Sequence, residues 1–179
     1  MSLAIRAATP LDRRALEGLC AMLLREHQQR FPSCYPALPP DRAAAHYAAE
    51  WQRRLEHDPT CLVWLAADRA PVGFLAGEVW TRPVGQPTAV WFGEWMYVVP
   101  ECRGEGIGLA LFRALIAACR ARGLTHVECL STAGDRQWQR RGWTETACRY
   151  TRPVEALAAD VTRAAATFPW LVAQEEDTP

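Results

Sequence analysis

Residues 89–123 run from an extended apolar segment, through alternating glycines, into a long helical pattern. Gly104, Gly106 and Gly108 lie at the junction, and glycine lets the main chain turn sharply and approach another molecule closely. The N–H groups of the first helical turn would then converge at the positive end of the helix dipole. This junction, called the seam (residues 100–109), predicts a strand–helix–strand unit whose turn can hold an anion.

The rest of the chain surrounds that unit with hairpin-like strands. Strand patterns cover residues 3–8, 60–68, 72–80, 89–99, 126–131 and 143–154. Helical patterns cover residues 10–29, 42–57 (with Asp41 as the cap), 106–122, 133–141 and 155–167. Strands joined by short turns pair antiparallel, whereas a strand–helix–strand unit is parallel. The predicted fold is therefore α/β, with a mixed, mostly antiparallel central sheet flanked by helices.

Length and composition narrow the class of protein. At 179 residues the chain suits one domain, predicted over 1–154, and residues 155–179 form a helix and acidic tail that either belong to it or are flexible. A net charge of zero argues against nucleic acid and anionic membranes as partners, and no apolar run reaches about 18 residues. The four histidines show no HxxxH spacing and the seven cysteines no CxxC pair, so no metal is expected. The irregular spacing of the cysteines favours free thiols and therefore predicts a cytoplasmic location.

The ligand of the seam is narrowed by what the sequence lacks. There is no GK[ST] of an ATP-type phosphate loop, and no acidic residue at dinucleotide spacing. A glycine-rich turn with an ordinary helix cap is the alternative. The hexapeptide from Arg103 to Gly108, after "VVP", together with the downstream pair Gly142-Trp143, resembles the motifs of the GNAT N-acetyltransferase superfamily. The resemblance covers residues 3–152.

That resemblance implies acetyl-CoA as the co-substrate. Main-chain N–H groups of the seam would bind the diphosphate, helped by a mobile Arg103 side chain. The edge of the strand before the seam would take the pantetheine arm, and one of its amides would stabilise the oxyanion. The implied cofactor-binding residues are Met96, Tyr97, Val98, Arg103, Gly104, Glu105, Gly106, Ile107, Gly108, Leu109 and Ser131.

Amine acetylation also needs a proton acceptor, because a free alkyl ammonium has a pKa of about 10. Glu94 lies in "GEWMYVVP", which resembles aminoglycoside-modifying relatives, and strict alternation places it on the strand face of Phe92 and Met96. Glu94 is the first candidate for the base or the amine-binding carboxylate, Glu128 the second and Glu78 a weaker third. Relatives carry a Tyr as general acid where this chain has Trp138.

The acceptor is predicted to be a small-molecule amine that carries positive charge. The candidates for an aromatic wall around it are Tyr35, Trp51, Trp80 and Trp91. Two alternatives stay open: acetylation of a peptide or protein N-terminus, and a CoA-binding sensor that has lost its acid, as Trp138 permits. A homodimer is also left open.

Overall fold

In the computed structural model, which describes residues 3–32, 39–81, 89–130, 140, 144–146, 149–165 and 167, seven strands form one mixed sheet. The strands are β1 (Ala4–Ala7), β2 (Cys61–Asp68), β3 (Ala70–Thr81), β4 (Ala89–Val98), β5 (His126–Leu130), β6 (Thr144–Thr146) and β7 (Arg149–Pro153). Their order across the sheet is β1-β2-β3-β4-β5-β7-β6. Among these pairs only β4 and β5 run parallel, which confirms the predicted fold class.

Four helices accompany the described strands: α1 (Arg13–Arg30), α2 (Pro40–His57), α3 (Ile107–Ala121) and α4 (Val154–Ala165). Short 3-10 turns, Pro10–Asp12 and Pro100–Cys102, precede α1 and the seam glycines. Thr9 caps the first of these turns, and Gly123 (φ 67°) follows the end of α3 in the left-handed conformation.

Asp41 is not the cap of α2, contrary to the sequence prediction. The helix begins two residues earlier than predicted, at Pro40, because proline lacks an N–H and its fixed φ suits the first helical position. Asp41 therefore lies inside the first turn, where a carboxylate is favourable to the helix dipole. There it forms an ion pair with Arg25 of α1.

The sheet separates two apolar clusters. On one side, the α3/α4 face, buried side chains of the strands pack with helix residues such as Leu111, Leu115, Leu157 and Val161. On the other side, the α1/α2 face, alternate strand residues pack with Leu16, Leu19 and Trp51. The seam follows β4 between these two layers, so it lies where both faces can be reached.

Several parts of the chain fall outside the described residues. These include the proline-rich segment after α1 (33–38), the segment between β3 and β4 (82–88), and residues 131–139, which contain most of the short helix predicted at 133–141. Tyr35, Ser131 and Trp138 lie in these parts of the chain.

Candidate functional site

A β-bulge in β4 determines where Glu94 points. Ala76 of β3 is opposite Trp95, but the next residue, Gly77, is opposite Gly93, so Glu94 is an extra residue on β4. Its carboxylate lies 3.9 Å from Arg54 of α2. Strict alternation predicted that Met96 shares the face of Glu94, and this prediction is wrong. Met96 lies against α3 instead, because a Cβ built on Gly108 of α3 would lie 2.8 Å from the Cε atom of Met96.

Beyond the bulge, β5 no longer pairs with β4, so one edge of β4 has no strand beside it among the described residues. The β4–β5 ladder consists of three pairs and ends at Gly93 opposite Cys129, while β4 continues along β3 to Val98. The N–H of Val99 donates to the carbonyl of Val72 at 2.9 Å. Because main-chain groups alternate in direction along an antiparallel strand, Met96 and Val98 turn their N–H and C=O groups away from β3.

We call the β4 edge formed by Met96 and Val98 the open edge, since no described strand pairs with it there. Tyr97, also predicted at this edge, has its main chain directed at Phe74 of β3. Its ring is buried on the α1/α2 face, with 5% of its surface exposed.

The seam places the N-terminus of α3 beside the open edge. Gly104 and Gly106 both have φ of 84°, a conformation that side chains with a Cβ rarely adopt, and Gly106 is the N-cap. The first N–H to donate into the helix is that of Ala110, to the carbonyl of Gly106 at 3.0 Å. By helix geometry, the N–H groups of residues 106–109 therefore have no acceptor within α3.

The side chains of the seam differ in their burial. Ile107 is anchored in the α3/α4 core with 1% exposure, while Glu105, Gly108 and Leu109 are half-buried. The missing side chain at Gly108 is what allows Met96 to approach α3. An anion bound at the helix N-terminus would thus adjoin the open edge.

Arg103 is held more firmly than the sequence suggested. Its Nε donates to the carbonyl of Val98 at 2.9 Å, and its two Nη atoms bind the two carboxylate oxygens of Glu26 at 3.1 and 2.5 Å. The guanidinium also lies 5.4 Å from the centre of the Tyr97 ring. The hydrogen bond from Arg103 lowers the pKa of Glu26. Arg103 therefore fastens α1 to the end of β4, and its predicted contact with a diphosphate stays a prediction.

Glu94 belongs to a group of charges on the α1/α2 face. Arg54 pairs with Glu78 of β3 through Nη2 and with Asp58 at 3.3 Å, and its Nη1 faces Glu94. Burial raises the pKa of Glu94, the nearby Glu78 charge adds to this, and Arg54 opposes it. The Glu94 side chain is 28% exposed, so it is accessible to a ligand and yet partly removed from water.

Glu128, the second predicted carboxylate, lies deeper. It is 1% exposed, at a position of β5 that is opposite Phe92 of β4 and Thr151 of β7. Among the described residues it is the one charged side chain that is fully buried. The structure thus places both candidate carboxylates on adjoining strands, but with very different access to solvent.

The aromatic residues near Glu94 match the sequence prediction only in part. Trp51 lies in the α1/α2 core with 2% exposure and its side chain hydrogen-bonds to Glu94, whereas Trp91 belongs to the α3/α4 core and Trp80 stacks on Phe92 with ring centres 4.0 Å apart. The other rings beside Glu94 on the α1/α2 face are Trp95 with Tyr47, 5.1 Å apart, and His27, 6.3 Å from Trp95.

Sequence reasoning missed Trp95 because strict alternation puts neighbouring residues on opposite faces. The bulge instead puts both Glu94 and Trp95 on the α1/α2 face of the sheet. Burial lowers the pKa of His27.

The described part of the chain contains neither a metal-binding cluster nor a membrane-spanning helix. No group of three or more His, Cys, Asp or Glu side chains is placed to hold a metal ion there. None of the described helices has the length and apolar character needed to cross a membrane.

Among the described strands, the one parallel pair of the mixed sheet separates beside the N-terminus of α3, so an unpaired strand edge adjoins a helix N-terminus. The sequence model of the acetyltransferase (GNAT) family matches residues 20–143, more than half of the 179 residues. The chain belongs to this family and is therefore an acetyltransferase. No curated protein sequence matches it.

Solved structures share the fold at low sequence identity. PaiA N-acetyltransferase from Thermoplasma acidophilum, in complex with coenzyme A, is 13% identical (TM-score 0.64) over 84% of this chain and 97% of that one. A predicted acetyltransferase from Clostridium acetobutylicum with acetyl-CoA is 17% identical (TM-score 0.61), over 81% and 92%. An aminoglycoside acetyltransferase from an uncultured soil metagenomic sample is 24% identical (TM-score 0.54), over 75% and 83%.

Proposed function

We propose that the protein transfers the acetyl group of acetyl-CoA to a primary amine of a small, positively charged acceptor. The observation that carries this proposal is the open edge of β4 beside the N-terminal amides of α3. The amides of residues 106–109 would bind the diphosphate, where the helix dipole favours an anion. The pantetheine arm would pair with Met96 and Val98 in the manner of an added strand.

The acceptor would enter from the α1/α2 face, where Glu94 and the Trp95 and Tyr47 rings lie. A carboxylate beside aromatic rings suits an ammonium group through charge and cation–π attraction. Of the structures with this fold, one was solved with acetyl-CoA, which supports the co-substrate, and another is an aminoglycoside acetyltransferase, which supports a small amine as the acceptor. The acidic group around Arg54 adds to the support for a cationic acceptor.

In the proposed reaction, Glu94 removes a proton from the bound ammonium, directly or through one water molecule. The neutral amine attacks the thioester carbonyl, and a main-chain N–H of the open edge stabilises the tetrahedral oxyanion. Collapse breaks the C–S bond and expels the CoA thiolate, and the acylated nitrogen loses its extra proton to water to give the neutral amide. A thiol has a pKa of about 8.5, so the thiolate is a tolerable leaving group that solvent can protonate. The raised pKa of Glu94 makes it a stronger base than an ordinary surface carboxylate.

A thiol-release assay with acetyl-CoA and a panel of amines tests the proposal. The panel should include aminoglycosides, polyamines, simple alkyl amines and peptides with free N-termini. We expect turnover on a small cationic amine. Turnover restricted to peptides would replace the proposed acceptor, and tight CoA binding without turnover on any amine would favour a sensor.

The role of Glu94 is tested in the same assay. Glu94→Gln removes the base while it keeps the side-chain shape, and kcat should fall about 100-fold or more. Glu56→Gln, an exposed glutamate on α2, serves as the matched control and should leave kcat unchanged. An undiminished rate for Glu94→Gln would remove this residue from the mechanism.

A further inference from the structure

Arg54 of α2 is a cation surrounded by three carboxylates beside the proposed acceptor site. We propose that Arg54 is a positioning residue: it keeps Glu94 in the carboxylate form without occupying the oxygen atoms that the acceptor needs. This inference rests on the proposed function, in which Glu94 is the base.

The guanidinium is fixed by partners other than Glu94. Its Nη2 pairs with Glu78, and both Nε and Nη2 donate to Asp58 at 3.3 Å. Asp58 in turn accepts hydrogen bonds from the N–H of Thr60 at 2.9 Å and from its hydroxyl at 2.5 Å. With 12% of its side chain exposed, Arg54 is largely enclosed. These contacts determine the position of the positive charge.

Arg54 acts on Glu94 through its electric field and not through a hydrogen bond, because the two groups are too far apart for one. Nη1 of Arg54 lies 3.9 Å from Oε1 of Glu94, which is an ion pair but is longer than a hydrogen bond. The indole N–H of Trp51 donates to Glu94. Since a carboxylate has about four acceptor positions, lone pairs remain for the N–H groups of an ammonium. A guanidinium bonded directly to Glu94 would compete with that ammonium.

The other charges near Glu94 would otherwise favour its protonated form. Burial is the largest influence that raises its pKa, and Glu78 and Glu50 act in the same direction. Arg54 is the cation that lowers this pKa. The other titratable groups that face Glu94 or its neighbour Trp95 are Tyr47 on α2, Cys61 on β2 and His27 on α1. Burial raises the pKa of the Tyr47 hydroxyl and of the Cys61 thiol and lowers the pKa of His27, so it favours the neutral form of each.

The test is the pH dependence of kcat/KM for the acceptor, measured at saturating acetyl-CoA. The acceptor titrates identically for every variant, so differences between variants report the enzyme. Arg54→Met should move the acidic limb to higher pH, with about a tenfold loss of kcat/KM at a pH on that limb and recovery at higher pH. Glu78→Gln should move the limb the opposite way, because it removes a like charge and frees Arg54 towards Glu94.

Arg53→Met is the matched control. It removes the same charge from the neighbouring residue of α2, where the side chain is 62% exposed and pairs with Glu50. Its acidic limb should coincide with that of the wild type. Arg54→Lys, which keeps the positive charge, should restore most of the limb.

Two outcomes would overturn the proposal: an acidic limb unmoved in both Arg54→Met and Glu78→Gln, or a loss in Arg54→Met that is equal at every pH. The second outcome would mean that Arg54 only supports the fold. If Arg54→Met does not fold, Glu78→Gln and the double variant carry the test, since the double variant should return the limb towards its wild-type position. Failure of the proposed function is distinguishable, because Glu94→Gln would then keep both the rate and the limb.

Discussion

Replacement of Gly106 by alanine tests the anion site at the seam. Gly106 caps α3 with φ of 84°, and a left-handed residue with a Cβ costs about 1–2 kcal/mol. If alanine accepts that strain, the melting temperature should fall by about 2–8 °C for a domain of this size. If it relaxes to negative φ, the N–H groups of residues 106 and 107 turn away from their common point. Two hydrogen bonds to a charged diphosphate contribute about 1.5–3 kcal/mol each, so CoA should bind at least about 100-fold more weakly.

Gly123→Ala provides a control with the same backbone strain. Gly123 follows the other end of α3 with φ of 67°, and a Cβ there would meet no atom within 4 Å. The fifteen-residue helix places it about 22 Å from the seam. Calorimetric titration with CoA and thermal unfolding should show weaker binding only in Gly106→Ala, with less destabilisation than in Gly123→Ala because the backbone at residue 106 has relaxed. A Gly106→Ala variant that is less destabilised than Gly123→Ala and yet binds CoA with wild-type affinity would refute the proposed diphosphate site.

Three predictions concern the stability and reactivity of the fold. Gly77→Ala should lower the free energy of unfolding in urea by about 1–3 kcal/mol, because a Cβ there would lie 2.3 Å from the Phe92 carbonyl oxygen; an unchanged midpoint would contradict the bulge geometry. Arg6 holds the pKa of Asp12 well below its usual range, so Asp12→Asn should cost about 1 kcal/mol at pH 7. That cost should shrink as the pH falls from about 4 towards the lowered pKa of Asp12, because the unfolded chain binds a proton in this range while the folded carboxylate does not; a constant difference in denaturation experiments would argue against the pair. Burial raises the pKa of four thiols to about 11 or 12, so alkylation followed by mass spectrometry at pH 8 should label them only after unfolding: Cys20, Cys61, Cys119 and Cys129.

The strand–helix–strand unit could be predicted because its signals are local. Glycine is needed where φ is positive, and Gly106 and Gly123 do begin and end the region of α3. The hairpin of β2 and β3 and the parallel pairing of β4 with β5 follow from short and long connections respectively. The start of α2 was predicted wrongly, because two neighbouring residues both favour a helix start. Asp41 has the chemistry of a cap, but the proline before it fits the first helical position better.

The charge group and the bulge could not be predicted, for two physical reasons. Arg54 meets Glu78 and Glu94 only through tertiary packing. The three residues are far apart in the chain, and no local sequence pattern indicates that α2 packs against β3 and β4 at these positions. The bulge is invisible in the sequence, since Phe92, Glu94 and Met96 keep a period of two straight through it. The register against β3 is what reveals the extra residue, and that register depends on the whole sheet.

The bulge also explains how one strand can serve both substrates of the proposed reaction. Without the extra residue, Glu94 and Met96 would point to the same face, and the base would compete with Met96 for the space beside α3. With it, Glu94 and Trp95 face α2, whereas Met96 contacts α3. The main-chain groups of Met96 and Val98 then lie at the open edge, where the pairing with β5 has ended. A single inserted residue changes the direction of β4 between Glu94 and the open edge. In the proposed reaction, the amine and the thioester would therefore approach each other from opposite sides of β4.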